Sequence, residues 1–169
     1  MKHNNLFGFI LLISVLAFQA SVAQSPCEDS TSKEFDFVLG NWELFSPDGK
    51  KLGEQVYAKE AEGCLITEEW TTMGGIPGHG MTFVDRNTGL WRQIYVSSLG
   101  QLDYSGGIDE QGAMVLEGTI FVYKDNKSYP VRGIWAKQDD GTIREEFLMY
   151  NSKTNSWNTF FLGIAHKKE

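Results

Sequence analysis

From Asn41 onward, apolar and polar residues alternate in short runs, and each run ends on a cluster of Asp, Asn, Gly or Pro. A period of two places successive side chains on opposite faces of an extended chain, which is the mark of β-strands. Strands are predicted near Asn41–Ser46, Gly53–Glu60, Cys64–Thr72, Gly80–Val84 and Trp91–Ser98. They continue near Gln101–Gly106, Ala113–Tyr123, Tyr129–Lys137, Thr142–Tyr150 and Trp157–His166. The breaks include Pro47-Asp48-Gly49, Asp85-Arg86-Asn87-Thr88-Gly89, Asp109-Glu110-Gln111-Gly112 and Asp139-Asp140-Gly141. Asn, Asp and Gly tolerate the positive φ that tight hairpins need. Helical period is nearly absent. The exception is a short turn around Ser32–Val38, with Thr31 as its candidate cap and Glu34 completing a capping box.

Strands joined by such short connections pair antiparallel with their neighbours. A meander of about ten strands tends to close on itself, because closure removes the exposed edges. The predicted fold is therefore all-β: a ten-stranded antiparallel up-and-down barrel with a short N-terminal helical turn. A two-sheet sandwich is the competing arrangement, but its crossovers need longer connections than this chain offers.

The first residues stand apart from this pattern. Lys2 and His3 give a basic start, an apolar run follows from Leu6 to Phe18, and Ser21 and Ala23 occupy the positions a signal peptidase reads. The run is about 13 residues, short of the roughly 20 that a spanning helix needs. Residues 1–23 are expected to be a cleaved signal peptide. Gln24-Ser25-Pro26 precede Cys27, so no cysteine stands where a lipid anchor requires one. Residues 24–169 then form one domain, periplasmic or secreted, with no membrane span after processing. Loss of Lys2 takes the net charge from −7 to −8. An acidic surface without a basic stripe repels phosphate backbones, so nucleic acid is not expected as a partner. Cys27 and Cys64 are the only cysteines. In an oxidising compartment an even pair reads as a disulfide, and the chain-entropy argument gives it about 4 kcal/mol at most.

Phe35-Asp36-Phe37-Val38-Leu39 leads into Gly40-x-Trp42. This resembles the opening of the first strand in lipocalins, where a short helical turn precedes Gly-x-Trp and the Trp closes one end of the barrel. Further segments are Gly63-Cys64, Glu68-Glu69-Trp70, Gly89-Leu90-Trp91-Arg92-Gln93, Gly112 to Gly118 and Asp140-Gly141-Thr142-Ile143-Arg144. Together they resemble a family of small exported bacterial proteins with a lipocalin-like domain of unknown function. The likeness runs from about Phe35 to Lys167. It implies a calycin-like barrel and brings no established chemistry with it. Two departures bear on ligand preference. Tyr95 stands where that family commonly has a second Trp, and Asn151–Trp157 lacks its Asp-Gly-Gly run.

Catalytic motifs are sparse. There is no Gly-x-Ser-x-Gly elbow, and only His79 and His166 remain after processing, without His-Glu-x-x-His spacing. His166 is similar in position to the late histidine by which nitrobindins hold haem. However, Glu43-Leu44-Phe45-Ser46 replaces their glycine-rich extension, and Lys167-Lys168-Glu169 marks a solvated strand end. No metal or cofactor, haem included, is expected. Gly74, Gly75, Gly78 and Gly80 carry no phosphate-binding lysine and are expected to form a mobile loop at a barrel mouth.

Strand faces supply the remaining signal. Met114, Leu116, Ile120 and Val122 form a clean apolar face, while several other strands are mixed on both sides. On one assignment Trp91, Gln93, Tyr95, Arg132 and Arg144 point into a lumen, with Glu68 or Glu117 as counter-charges. Aromatic walls with a few convergent polar groups are how small-molecule pockets are built, and buried arginines would suit an anionic head group. On the other assignment these residues face water or form a satisfied network, and side chains fill the lumen. A register error of one residue turns all of them round. Trp42, Trp70, Trp135 and Trp157 are expected in core or barrel-end packing. The leading expectation is a protein that binds a small lipophilic or amphiphilic molecule. The second is an enzyme using Glu68 or Glu117 as general acid or base. The third is an interaction module docking through its outer face, for which a homodimer is one arrangement.

Overall fold

A computed structural model of the chain describes residues 27–168. The signal-peptide reading of residues 1–23 lies outside them. Ten antiparallel strands form a closed barrel in which each strand pairs with its sequence neighbours and the last pairs with the first. They are β1 (Gly40–Phe45), β2 (Lys51–Glu60), β3 (Leu65–Thr72), β4 (Pro77–Asp85) and β5 (Leu90–Ser97). They continue as β6 (Gly100–Ile108), β7 (Met114–Val122), β8 (Lys127–Lys137), β9 (Ile143–Asn151) and β10 (Ser156–Lys167). All ten predicted strands are present, with ends shifted by a few residues. The largest shift is in β4, which starts at Pro77. Gly78 and Gly80 are therefore strand residues with buried backbone, not parts of a loop at the mouth.

Closure is made by β1 and β10, with Trp42 opposite Lys167 and Leu44 opposite Ala165. Every backbone edge is thereby paired, which is the physical advantage of a barrel over a sandwich. A bulge between Thr159 and Phe161 leaves Phe160 without a partner on β9 and exposed near the open end. Turns follow the expected chemistry. In the β8–β9 hairpin Gly141 has φ +84° and the Thr142 amide donates to Asp140 Oδ1.

One end of the barrel is closed by the chain that precedes β1. Two 3₁₀ turns, Thr31–Lys33 and Asp36–Val38, place Phe35 and Val38 beneath the lumen, both fully buried. Phe35 packs edge-on against Trp91, Trp135 and Phe37, with ring centroids 5.3 to 5.8 Å apart. Trp42 Nε1 donates to the Val38 carbonyl at 2.6 Å, so the Gly-x-Trp residue ties this plug to β1. The expected capping box is not formed. Asp29 Oδ1 accepts the Ser32 amide instead, and Glu34 is drawn away to accept from Trp91 Nε1. The disulfide Cys27–Cys64 joins the plug segment to the end of the β2–β3 connection, with Cα atoms 4.9 Å apart. No helix among the described residues is long and apolar enough to cross a membrane. The disulfide is compatible with an extracellular protein.

Candidate functional site

Above the plug, on the side of the β3–β4 and β5–β6 hairpins, the lumen opens into a cavity of about 360 Å³. This lies in the lower part of the range for small-molecule sites. Leu44, Trp70, Leu102, Ile120, Phe147 and Phe161 form its apolar wall, and the exposed Leu99 and Phe160 stand at its mouth. At three inward positions that alternation reserves for larger residues the chain has glycine, and neighbouring side chains fill the room this leaves. A Cβ on Gly78 would lie 1.8 Å from Tyr95 Oη. One on Gly80 would lie 2.8 Å from Glu68 Oε2, and one on Gly133 would lie 2.8 Å from the Tyr104 ring. Backbone without side chains on β4 and β8 thus lets polar side chains from neighbouring strands lie across the lumen.

Those side chains form a network at the inner end of the cavity. Gln55 Nε2 donates to Tyr57 Oη at 2.7 Å and to Glu68 Oε1 at 2.9 Å. Gln93 Nε2 donates to Glu68 Oε2 at 2.8 Å, and Tyr104 donates its hydroxyl to Gln93 Oε1. Trp135 Nε1 donates to Tyr57 Oη at 3.3 Å. Across from Glu68, Glu145 lies on the inward face of β9 with 1 % exposure. Glu145 Oε1 and Gln55 Oε1 are both buried and have no hydrogen-bond partner. Leaving such groups unpaired costs about 1–3 kcal/mol each, so they are unusual in an interior.

Burial decides the electrostatics. It pushes Glu68 up to about 7, against the two amide donors that favour its charged form. Glu145 is raised further above the ordinary carboxylate range, by burial first and by the nearby Glu68 second. Tyr57 and Tyr104 are also raised by burial, so they act as hydroxyls and not phenolates. The floor therefore holds one carboxyl that ionises readily near neutrality and one that resists ionisation.

The predicted site residues divide by position. Glu68 and Tyr95 line the cavity, and Gln93, fully buried, supports Glu68 from behind it. Trp91 is inward but sits beneath the cavity, against Phe35 and Glu34, so it belongs to the plug. Arg132, Arg144 and Glu117 are on the outer face, which corrects their expected place in the lumen. Arg132 pairs with Glu117 across β7–β8 at 2.7 Å and stacks 4.5 Å from the Trp157 ring. Arg144 pairs with Glu146 at 2.7 Å. The physical reason is parity: Val131, Gly133 and Trp135 on β8 and Ile143, Glu145 and Phe147 on β9 take the inner face. With both arginines outside, the argument for an anionic head group falls. Among the tryptophans, Trp42 and Trp135 are core, Trp70 lines the cavity wall, and Trp157 lies outside.

Gln55, Tyr57, Tyr104 and Glu145 escaped the reading of the sequence. A usable signal was present for the acid. Glu145 is flanked at i±2 by Ile143 and Phe147, as Glu68 is by Ile66 and Trp70, and an acid in such a row shares the buried face. His79 and His166 are both exposed on the outer surface, and His166 meets Phe45 edge-on. Neither lines the cavity, so the position of His166 does not match that of a ligand to a group held in the lumen. No protein-family model matches the chain, and no curated protein matches it in sequence.

Proposed function

We propose that this chain is an exported, lipocalin-like binding protein that holds a small amphiphilic molecule in its barrel, apolar body outward and polar end on the floor. One observation carries the reading. An apolar-walled cavity, open at one end, terminates on buried polar atoms that have no partner inside the protein. Sites for small molecules combine such walls with a few placed polar groups that fix orientation. The test uses the neutral fluorophore N-phenyl-1-naphthylamine. Its emission is expected to rise on binding to the purified protein and to stay low with Ile120→Trp, which fills the lumen from the β7 wall. Equal emission from both proteins would place the fluorophore outside the barrel and overturn the reading.

A catalytic reading is favoured by a separate observation: Glu68 lines the cavity and titrates near neutrality, the range in which a general acid or base works best. Glu117 leaves that reading because it lies outside. Turnover of a bound molecule that disappears in Glu68→Gln, with binding retained, would establish it.

A further inference from the structure

The hydrogen bonds of the floor leave two cavity-lining oxygens without any partner. Gln55 has spent both amide hydrogens, on Tyr57 and Glu68, so only its carbonyl oxygen is left. Gln93 accepts from Tyr104 and donates to Glu68, and both Glu68 oxygens already accept. The cavity-lining atoms left without any partner are both oxygens, Gln55 Oε1 and Glu145 Oε1, each on a side chain more than nine-tenths buried. The Tyr57 hydroxyl, which accepts from Gln55 and Trp135, and one Gln93 amide hydrogen remain as donors behind them. A ligand that offers only acceptors, such as a carboxylate, would leave both unmet and would set a third negative group beside two carboxyls. No lysine or arginine among the described residues lines the space to receive it.

Resting on the cavity reading above, we propose that the polar end of the ligand is a primary ammonium group seated on Glu145, Gln55 and Glu68. An ammonium carries three N–H donors and no acceptor, which suits two empty acceptors and a carboxylate already steadied by two amides. The wall near the floor is aromatic, with Trp70, Tyr95, Phe147 and Phe161, and ring faces attract a desolvated cation. Buried charge is tolerated only when paired and hydrogen-bonded, and this floor supplies both conditions. Burial disfavours the charged form of Glu145 in the empty barrel, and an ammonium seated beside it favours that form. The groups facing Glu68 and Glu145 across the lumen are Gln55 and Tyr57 from β2, Gln93 and Tyr95 from β5, and Tyr104 from β6.

The test compares three probes with the same chain and different ends, octylamine, octanol and octanoate, by calorimetry on the purified protein. Octylamine is expected to bind about tenfold or more tightly than octanol, with octanoate weakest. Glu145→Gln is expected to cost octylamine about tenfold while octanol stays within about twofold, which also shows that the variant is folded. Octanoate binding as tightly as octylamine would overturn the ammonium assignment, and so would octylamine affinity that survives both Glu145→Gln and Glu68→Gln. If octanol binds and octylamine binds no better, the head-group inference fails while the cavity reading stands. If none of the three binds, the cavity reading fails and the inference goes with it. The ranking in the wild-type protein tests the head-group class, and the two variants test its seat.

Discussion

Two amide groups donate to Glu68, and hydrogen bonds of that kind favour a carboxylate over an acid. Burial acts the other way and prevails, leaving the group at about 7 against an ordinary 4.5. The unfolded chain has therefore released this proton over a pH interval in which the folded barrel still holds it. Native protein binds more protons than unfolded protein there, so stability falls as pH rises from about 4.5 through about 7, and levels once both states are ionised. The loss is about 3 kcal/mol at ~1.4 kcal/mol per unit. Glu145, raised in the same sense, extends the fall to higher pH. Asp29 is held down at about 2 by the Ser32 amide and Arg86, and Glu54 at about 2 by Lys51 and Lys168. Their contribution has the opposite sign and is lost only as pH drops below their ordinary values, outside the interval of the buried acids. Denaturant midpoints are expected to decline between about pH 5 and 8, and Glu68→Gln is expected to flatten that decline. Parallel profiles for the two proteins would show that Glu68 is hydrated in the native barrel.

At the scale of the strand, what separates inside from outside is a single residue of register. β7 was legible because Met114, Leu116, Ile120 and Val122 alternate with Glu117 and Thr119. β8 and β9 were not, because their outer faces also carry half-buried apolar residues, Ile134 on one and Leu148 and Tyr150 on the other. With apolar residues on both sides, alternation marks a strand without saying which side is in. Glycine compounded this. Gly78, Gly80 and Gly133 occupy inner positions, where the sequence pattern reads as a turn or a gap although the structure lays Tyr95, Glu68 and Tyr104 over the bare backbone. Half of the polar floor was hidden for the same reason. Glu68, Gln93 and Tyr95 stood out, but Gln55 and Tyr104 come from strands with mixed faces, and Glu145 had only the flanking Ile143 and Phe147 to mark its side as the inner one. The placement of the arginines gives this correction a measurable consequence. Arg132 and Arg144 make partly exposed outer ion pairs, which are worth less than about 1 kcal/mol each. Arg132→Ala and Arg144→Ala are expected to leave affinity for N-phenyl-1-naphthylamine within about twofold and stability within about 1 kcal/mol. A tenfold loss of affinity in either variant would return that side chain to the lumen.

A closed barrel has no free edges but it has two ends, and this molecule treats them differently. One end is filled by the plug that Phe35 and Val38 bring under the lumen, pinned by the Cys27–Cys64 bridge and by Trp42 Nε1 on the Val38 carbonyl. The other end is left apolar and open, with Leu99 and Phe160 exposed beside the cavity. Between plug and cavity stands the layer of Trp135, Tyr57, Tyr104, Gln93 and Glu68, so the two compartments share a polar partition. A partition of that kind separates stability from binding. Phe35→Ala removes a fully buried ring that touches Trp91 and Trp135, and is expected to cost about 3–5 kcal/mol in unfolding free energy. Its effect on the cavity must pass through Trp135, whose indole N–H is fixed on Tyr57 and whose ring packs against Phe147 at 5.3 Å. If those contacts hold, affinity for N-phenyl-1-naphthylamine stays within about threefold of the wild-type value, because ~0.6 kcal/mol is all that such a change represents. Denaturation and fluorescence titration of the same Phe35→Ala preparation measure both quantities. Loss of affinity in step with loss of stability would mean that the plug shapes the binding site directly, and the barrel would then be one continuous core with a dent at its mouth.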